Sequence, residues 1–438
     1  GGHGLGGLLR MTTPTGLSHA SRIRAIVAGS TGNLIEWYDY FVYAFTALYF
    51  SAEFFPKGDR TAQLLGTAGI FAVGFLLRPL GAWFFGRYAD RRGRQASMVV
   101  SILLMGAGSL FIAILPTYAQ IGALAPLLLL LGRMVQGFST GGQYGAAATY
   151  LSEIAVSGRR GFYASFQYVT LIGGQLVALL VILVLQQTLS LEAMRGYGWR
   201  LAFLIGAVGA MTIILFRHHM HETLPEADRV ADAGSLRALA KHPKAFFTVM
   251  GLTAGGSLVF YTFTTYMQKY LVNTAHMDSK VANWVMTAVL IPFVILQPLF
   301  GLLSDKIGRR NNMLLFGALA TLCTFPLLTM LGRTSTPGPA FLLVLAGLTI
   351  NSAYTSISGL FKAELFPIHV RGLGVSLAYG IANALFGGTA ELFALRFKQV
   401  GHESWFYWYV TAVCALSLLT ALLMRDTRKY NPLDDMKL

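Results

Sequence analysis

Apolar residues in this chain come in long blocks. They do not alternate as in half-buried strands, nor do they form the narrow stripe of a surface helix. Windows of about 20 apolar residues, the length that carries a helix across a bilayer, centre on 24–50, 62–86, 96–116, 122–149, 161–187, 199–217, 245–271, 282–304, 312–332, 338–362, 372–397 and 404–425. The pattern predicts an all-α membrane protein of twelve transmembrane helices, because only helices and closed barrels satisfy their backbone in lipid. The expected division is a disordered tail at 1–21, a six-helix bundle at 22–217, a linker at 218–243, a second six-helix bundle at 244–425 and a tail at 426–438.

Composition sharpens this. The chain is 55% hydrophobic and only 12% charged, against about 25% charged in soluble domains. Its net charge of +15 would suggest nucleic acid in a soluble protein; here it reports topology. If the termini and the loops after spans 2, 4, 6, 8 and 10 share one side, that side holds 23 Lys and Arg, including Lys362 and Arg371 after span 10. The other side holds 9. Both termini are therefore expected in the cytoplasm. GGHGLGGLLR, ahead of Met11, is read as a tag or an upstream start and left out of the fold reasoning. Cys323 and Cys414 lie in apolar runs and read as packing residues. His218, His219 and His221 fall in the basic linker without a spaced partner, so a solvated linker is expected there rather than a metal site.

The two halves repeat. GRYADRRGR at 86–94 returns as GLLSDKIGR at 301–309, and SEIAVSGRRGFYAS at 152–165 as AELFPIHVRGLGVS at 363–376. Leu302 replaces the first copy's Arg87. These motifs, with GRMVQGFSTGGQYGAA at 132–147, resemble the major facilitator superfamily. GNLIEWYDYFVY, LLRPLGAWFFGRYADRRGR and ETLPE resemble its metabolite–proton symporter branch. Longer runs, such as GSLVFYTFTTYMQKYLVNTA at 256–275 and KAELFP at 362–367, are similar to the members of that branch that carry α-ketoglutarate. The resemblance implies two bundles related by a pseudo-two-fold axis. It also implies proton symport of α-ketoglutarate by alternating access, with citrate, shikimate or itaconate as the alternative cargo. The implied partners are a small dicarboxylate, protons and the lipid bilayer of a bacterial inner membrane. A functional monomer without prosthetic group is expected, and no nucleic acid. No Walker sequence appears, which disfavours ATP-driven transport, and no nucleophile set suggests an enzyme.

Charges inside spans are costly and mark function. Glu36 and Asp39 lie about 18 and 22 Å into span 1, on one helix face. Arg133 enters span 4 from the other side and is expected at similar depth, paired with one of the acids as a proton-coupling set. Arg78, before Pro79, is either a snorkelling cation or a carboxylate ligand. Tyr261, Thr265, Gln268 and Lys269 recur at helical spacing on span 7, and Tyr266 and Tyr354 offer hydroxyls for the substrate. Gln136, Gln143, Gln167 and Gln175 add neutral donors, and Glu391 is a further membrane acid. The loop motifs predict charge-assisted gating latches on the cytoplasmic side. Asp90, Arg91, Arg94, Glu153 and Arg160 would build the first, Asp305, Arg309, Arg310, Glu364 and Arg371 the second. Arg160 is a candidate partner for Asp90, and Glu153 for Arg91 or Arg94.

Overall fold

A computed structural model describes residues 17–58 and 60–436. The expected tail at 1–21 therefore lies largely outside the described residues, as do 437 and 438 of the C-terminal tail. Span 1 is one helix, His19–Phe54. Span 2 is split into Arg60–Leu76 and Arg78–Arg92. The break falls where Pro79 removes a backbone donor and disfavours helical geometry before it. Spans 3 and 4 are Arg94–Ala113 and Leu124–Ile154. Span 5 joins Arg160–Ala164 to Phe166–Thr188, and span 6 ends in Trp199–Phe216.

In the second half, span 7 is Pro243–Phe263 followed by Met267–Asn273, and span 8 is Ser279–Ile307. Span 9 is Arg309–Leu331. Span 10 breaks between Pro337–Thr355 and Ser358–Leu365. Span 11 runs from Arg371–Ala382 through a π-turn at Asn383–Gly387 into Ala390–Gln399, and span 12 is Glu403–Leu423. Among the described residues, nine of these stretches are long and apolar enough to cross a membrane. Spans 1, 2 and 4 fall outside that set, and they carry the buried Glu36, Asp39, Arg78 and Arg133. Several helices thus break at depth, where discontinuous helices build transporter sites.

The halves meet through two equivalent seams. A Cβ on Gly86 of span 2 would sit 2.7 Å from Leu373 Cα of span 11. Gly161 of span 5 and Gly301 of span 8 face each other so closely that a Cβ on either would meet the other's carbonyl oxygen at 2.3 Å. Only glycine permits backbones this near. Both seams lie toward the face that carries the chain ends, called the terminal face below.

The linker differs from the expected solvated segment. Met220, Thr223, Leu224, Ala233, Ala238 and Leu239 are buried. Gly234 N donates to His369 O at 2.9 Å, and Arg91 Nε to Ala233 O at 3.0 Å. Its apolar side chains give it a face to pack with, so it lies across the terminal face and contacts both halves.

Candidate functional site

Span 1 sets the floor of the site. Glu36 and Asp39 are both fully buried. Glu36 Oε1 accepts from Ser139 Oγ of span 4 at 2.7 Å, while Oε2 receives no donor. Asp39 faces Ser109 of span 3 and Gly206 of span 6, whose missing Cβ leaves it room; neither of its carboxylate oxygens receives a hydrogen bond.

The expected pairing of Arg133 with these acids is not what the structure holds. Arg133 Nη1 donates to Gln136 Oε1 at 3.2 Å, and its guanidinium lies over the rings of Tyr40 and Tyr43 at 5.0 and 4.9 Å. For Asp39 the reason is direction, since it faces spans 3 and 6; for Glu36 it is depth. Glu36 meets span 4 at Ser139, six residues beyond Arg133, which is about 9 Å along the helix. Residue counting from opposite ends placed the two groups level; their helices place them one to two turns apart.

Arg78 does not snorkel. It is buried at the break in span 2, over Phe75 at 4.1 Å and Tyr40 at 4.5 Å. Tyr261 of span 7 and Tyr379 of span 11 are its neighbours from the other half. Its Nε and Nη2 have no hydrogen-bond partner, and no carboxylate forms an ion pair with it among the described residues.

The polar stripe expected on span 7 is interrupted. The helix ends at Phe263 and restarts at Met267. Tyr261 stays at the site, whereas Thr265 is exposed and Gln268 is half-buried. Tyr266 turns away and packs on Phe406, ring centres 5.7 Å apart. Lys269 pairs with Glu391 where both are partly exposed, so these two belong to the face opposite the chain ends rather than to the buried cluster.

Span 10 contributes most, through a residue the sequence reading treated as a loop charge. Lys362 is fully buried. Its Nζ donates to Tyr144 Oη at 2.7 Å, Tyr354 Oη at 3.0 Å and Ser358 Oγ at 3.0 Å. Helical side chains lean toward the N-terminus of their helix, so the long lysine stem reaches back toward Ser358 and Tyr354. The ammonium also lies 4.4 Å from the Tyr379 ring centre, and Tyr379 stacks on Tyr144 at 3.4 Å. Gln167 and Gln143 hold the frame: Gln167 Nε2 donates to Tyr144 O, and Gln143 Oε1 accepts from Ser101.

Toward the terminal face the two repeated motifs form two latches. In the first, Asp90 accepts from the backbone N–H of Gly372 and Leu373 at 2.8 and 2.9 Å, and from Arg94 at 2.8 Å. Arg94 bonds Glu153 at 2.6 Å, and Glu153 in turn binds Arg371 of the other half at 2.9 Å. In the second, Asp305 accepts from the N–H of Gly161 and Phe162 at 2.7 and 3.1 Å and from Arg309 at 2.9 Å; Arg309 reaches Glu364 at 3.2 Å. Each aspartate caps the N-terminus of a helix in the opposite half, where backbone donors and the helix dipole favour an anion.

Four expectations for the latches are corrected. Arg91 donates to Ala233 O of the linker and joins neither latch. Arg160 binds Asp434 at 2.5 Å and Leu433 O, not Asp90. Arg371 joins the first latch through Glu153 rather than the second. Arg310 donates to Leu422 O and takes no part in either. Span 5 turns Arg160 toward the C-terminal segment, whose residues 432–435 form a short turn beneath it.

The model of the Major Facilitator Superfamily matches residues 30–390 and 269–436. The alpha-ketoglutarate permease of Escherichia coli K12 is 56% identical over 409 residues, 93% of this chain and 95% of that protein. A citrate-proton symporter of Salmonella typhi is 34% identical, over 94% of this chain and 96% of its own length. Among solved structures, a double Trp mutant of XylE superposes with a TM-score of 0.76 at 18% identity, covering 95% of this chain and 98% of that one. The proton:xylose symporter XylE bound to 6-bromo-6-deoxy-D-glucose gives 0.72 at 16% identity, covering 96% and 99%. These last two share the fold.

Proposed function

From the premise that this chain belongs to the major facilitator superfamily, a multi-pass membrane fold of twelve transmembrane helices, we propose that it imports α-ketoglutarate with protons by alternating access. The six-helix halves at 22–217 and 244–425 rock about the buried cluster between them, and the linker and C-terminal tail lie on the cytoplasmic face of a bacterial inner membrane. The excess of Lys and Arg on the terminal face supports that orientation. The working unit is a monomer in lipid, and no cofactor beyond the proton is needed.

One observation carries the reading: Arg78 is buried between the halves with no carboxylate against it. A buried cation costs free energy unless an anion completes it, and a dicarboxylate substrate supplies one. Arg78 and Arg133, with the tyrosine hydroxyls around them, hold the cargo; a guanidinium fork suits a carboxylate. Asp39, whose oxygens receive no donor, takes the coupling proton, which cancels its buried charge. Glu36 is positioned by Ser139. With both latches formed, the terminal face is closed. The resemblance to the alpha-ketoglutarate permease supports this cargo; the citrate-proton symporter, at 34% identity, keeps citrate as the second reading.

Counterflow of labelled α-ketoglutarate in proteoliposomes tests it, with citrate, shikimate and itaconate as competitors. Exchange of α-ketoglutarate blocked by unlabelled α-ketoglutarate is expected; exchange of citrate alone would overturn the substrate. Asp39→Asn is expected to retain counterflow and to lose accumulation driven by a pH gradient. Full accumulation in that variant would remove Asp39 from the proton path.

A further inference from the structure

We propose that Lys362, with Tyr144, Tyr354 and Ser358, is the seat of the substrate's second carboxylate, and that the site selects dicarboxylates because its cations stand on opposite halves of the protein, Arg78 and Arg133 on the first and Lys362 on the second. The assignment rests on the reading of the protein as a carboxylate carrier.

The charge of Lys362 is the starting point. Every fully buried cation in the first latch is matched: Arg94 meets Asp90 and Glu153, and Arg371 meets Glu153. Lys362 is as deeply buried, yet its three N–H donors end on three neutral hydroxyls. Among the described residues no carboxylate stands within ion-pair distance of it. The hydroxyls pair with the hydrogens of the amine, but no anion faces it to stabilise an ammonium. Aromatic faces soften that cost: Tyr379, Tyr144 and Tyr354 surround the ammonium at 4.4, 4.7 and 5.2 Å. A structural cross-link of these tyrosines would need only a neutral polar side chain, so a basic group buried here points to an anionic ligand that would complete its charge.

The surroundings fit an anion. Each hydroxyl that now accepts from Lys362 can rotate its proton and donate to an incoming carboxylate. The amine and three hydroxyls would then converge on the two oxygens of one carboxylate. The tyrosines that carry them are anchored. Tyr144 stacks on Tyr379, and Tyr354 is closed in by Phe316, ring centres 5.6 Å apart.

Placement gives the selectivity. Tyr379 neighbours one cation of each half: its ring centre lies 4.4 Å from Lys362 Nζ, and it is one of the groups that surround Arg78. Arg78 belongs to span 2 of the first half and Lys362 to span 10 of the second. A short dicarboxylate can occupy both, and so ties the halves together around itself. The Arg78 fork accommodates the carboxylate and adjacent keto oxygen of a 2-oxo acid, and the point charge of Lys362 takes the distal carboxylate. A monocarboxylate fills one seat only and leaves the other cation buried without an anion.

The test compares ligands that differ by that distal group. Competition of α-ketoglutarate and of 2-oxopentanoate against labelled α-ketoglutarate counterflow is measured for the unaltered protein, Lys362→Met and Lys362→Arg. The unaltered protein is expected to prefer α-ketoglutarate by about thirtyfold or more, the value of a charge-assisted contact. In Lys362→Met that preference should fall to within about twofold, with the half-inhibitory concentration of 2-oxopentanoate unchanged. Lys362→Arg should restore most of it. An unchanged preference in Lys362→Met, or equal weakening of both ligands, overturns the assignment. If Lys362→Met does not fold, Tyr354→Phe with Ser358→Ala removes two donors from the same seat, and must lower the preference at least about threefold. Failure of the unaltered protein to exchange α-ketoglutarate at all would instead overturn the proposed function, and this seat with it.

Discussion

The two latches start from one motif and end differently. Asp90 and Asp305 do the same job, each capping the first turn of a helix in the opposite half. Their arginines also match: Arg94 reaches Glu153 as Arg309 reaches Glu364. The symmetry stops at the next link. Glu153 holds Arg371 across the seam and uses both oxygens, whereas Glu364 Oε2 has no donor. Arg160, the repeat counterpart of Arg371, is taken by Asp434 instead. The first latch is a closed ionic chain at zero exposure; the second has Arg309 at 11% and Asp434 at 60%. A duplicated sequence fixes the helix caps, because those need only an aspartate and a glycine-lined seam. How the charges then close depends on what else reaches the site: the C-terminal segment offers Asp434 to Arg160 at the second seam, but at the first it offers Arg371 only Met436 Sδ, at 3.2 Å.

This difference is broken most severely at Glu153. Glu153→Gln would leave Arg94 without one partner and Arg371 without its carboxylate, both fully buried. Removing one member of a buried ionic set costs about 3–5 kcal/mol. The loss should appear as the largest fall in thermal midpoint of any latch variant in detergent. It should also increase thiol labelling of a cysteine placed at Ser376, which is buried against Gly145 across the seam. Glu364→Gln leaves Arg309 still bound to Asp305, and should cost about 1 kcal/mol. Equal losses for the two substitutions would remove the asymmetry.

The caps come next. Asp90→Asn keeps an acceptor but loses the charge that binds two backbone donors and Arg94, about 1.5–3 kcal/mol. Asp305→Asn removes the same set of bonds from a position with 8% exposure, where water replaces part of the loss. Ser376-site labelling should therefore rise in both variants and more in Asp90→Asn. A larger rise in Asp305→Asn would mean that the second seam, not the first, controls opening.

Much of this was legible in the chain, and the failures have physical causes. Block hydropathy found the helices because lipid forces it, and the repeat found both capping aspartates because the motif is local. Depth was harder. Arg133 and Glu36 seemed level by counting from opposite ends, yet an error of six residues is about 9 Å on a helix, enough to exchange an ion pair for Ser139 and two tyrosine rings. Lys362 was missed because it stands three residues before the end of span 10, where a lysine reads as a topological charge. Only the tertiary fold shows that its side chain runs inward to Tyr354 and Tyr144. The diversion of Arg160 could not be read either, since Asp434 is 274 residues away and outside the repeat.

That diversion gives the smallest and most discriminating effect. The Arg160–Asp434 pair is largely solvated on the aspartate side, so Asp434→Asn alone should cost under about 1 kcal/mol and less still at high salt. If the C-terminal segment is what holds Arg160 away from Glu364, releasing it lets Arg160 turn to the unsatisfied Oε2 and restore the arrangement of the first latch. Asp434→Asn should then cost more in a Glu364→Gln background than in the unaltered protein, because Arg160 would lose both carboxylates. The coupling expected in that double-mutant cycle is about 0.5 kcal/mol or more, read from thermal midpoints at low salt. Simple additivity would show instead that Arg160 and Glu364 never exchange partners, and that the two latches differ by the path of their backbones rather than by competition for one arginine.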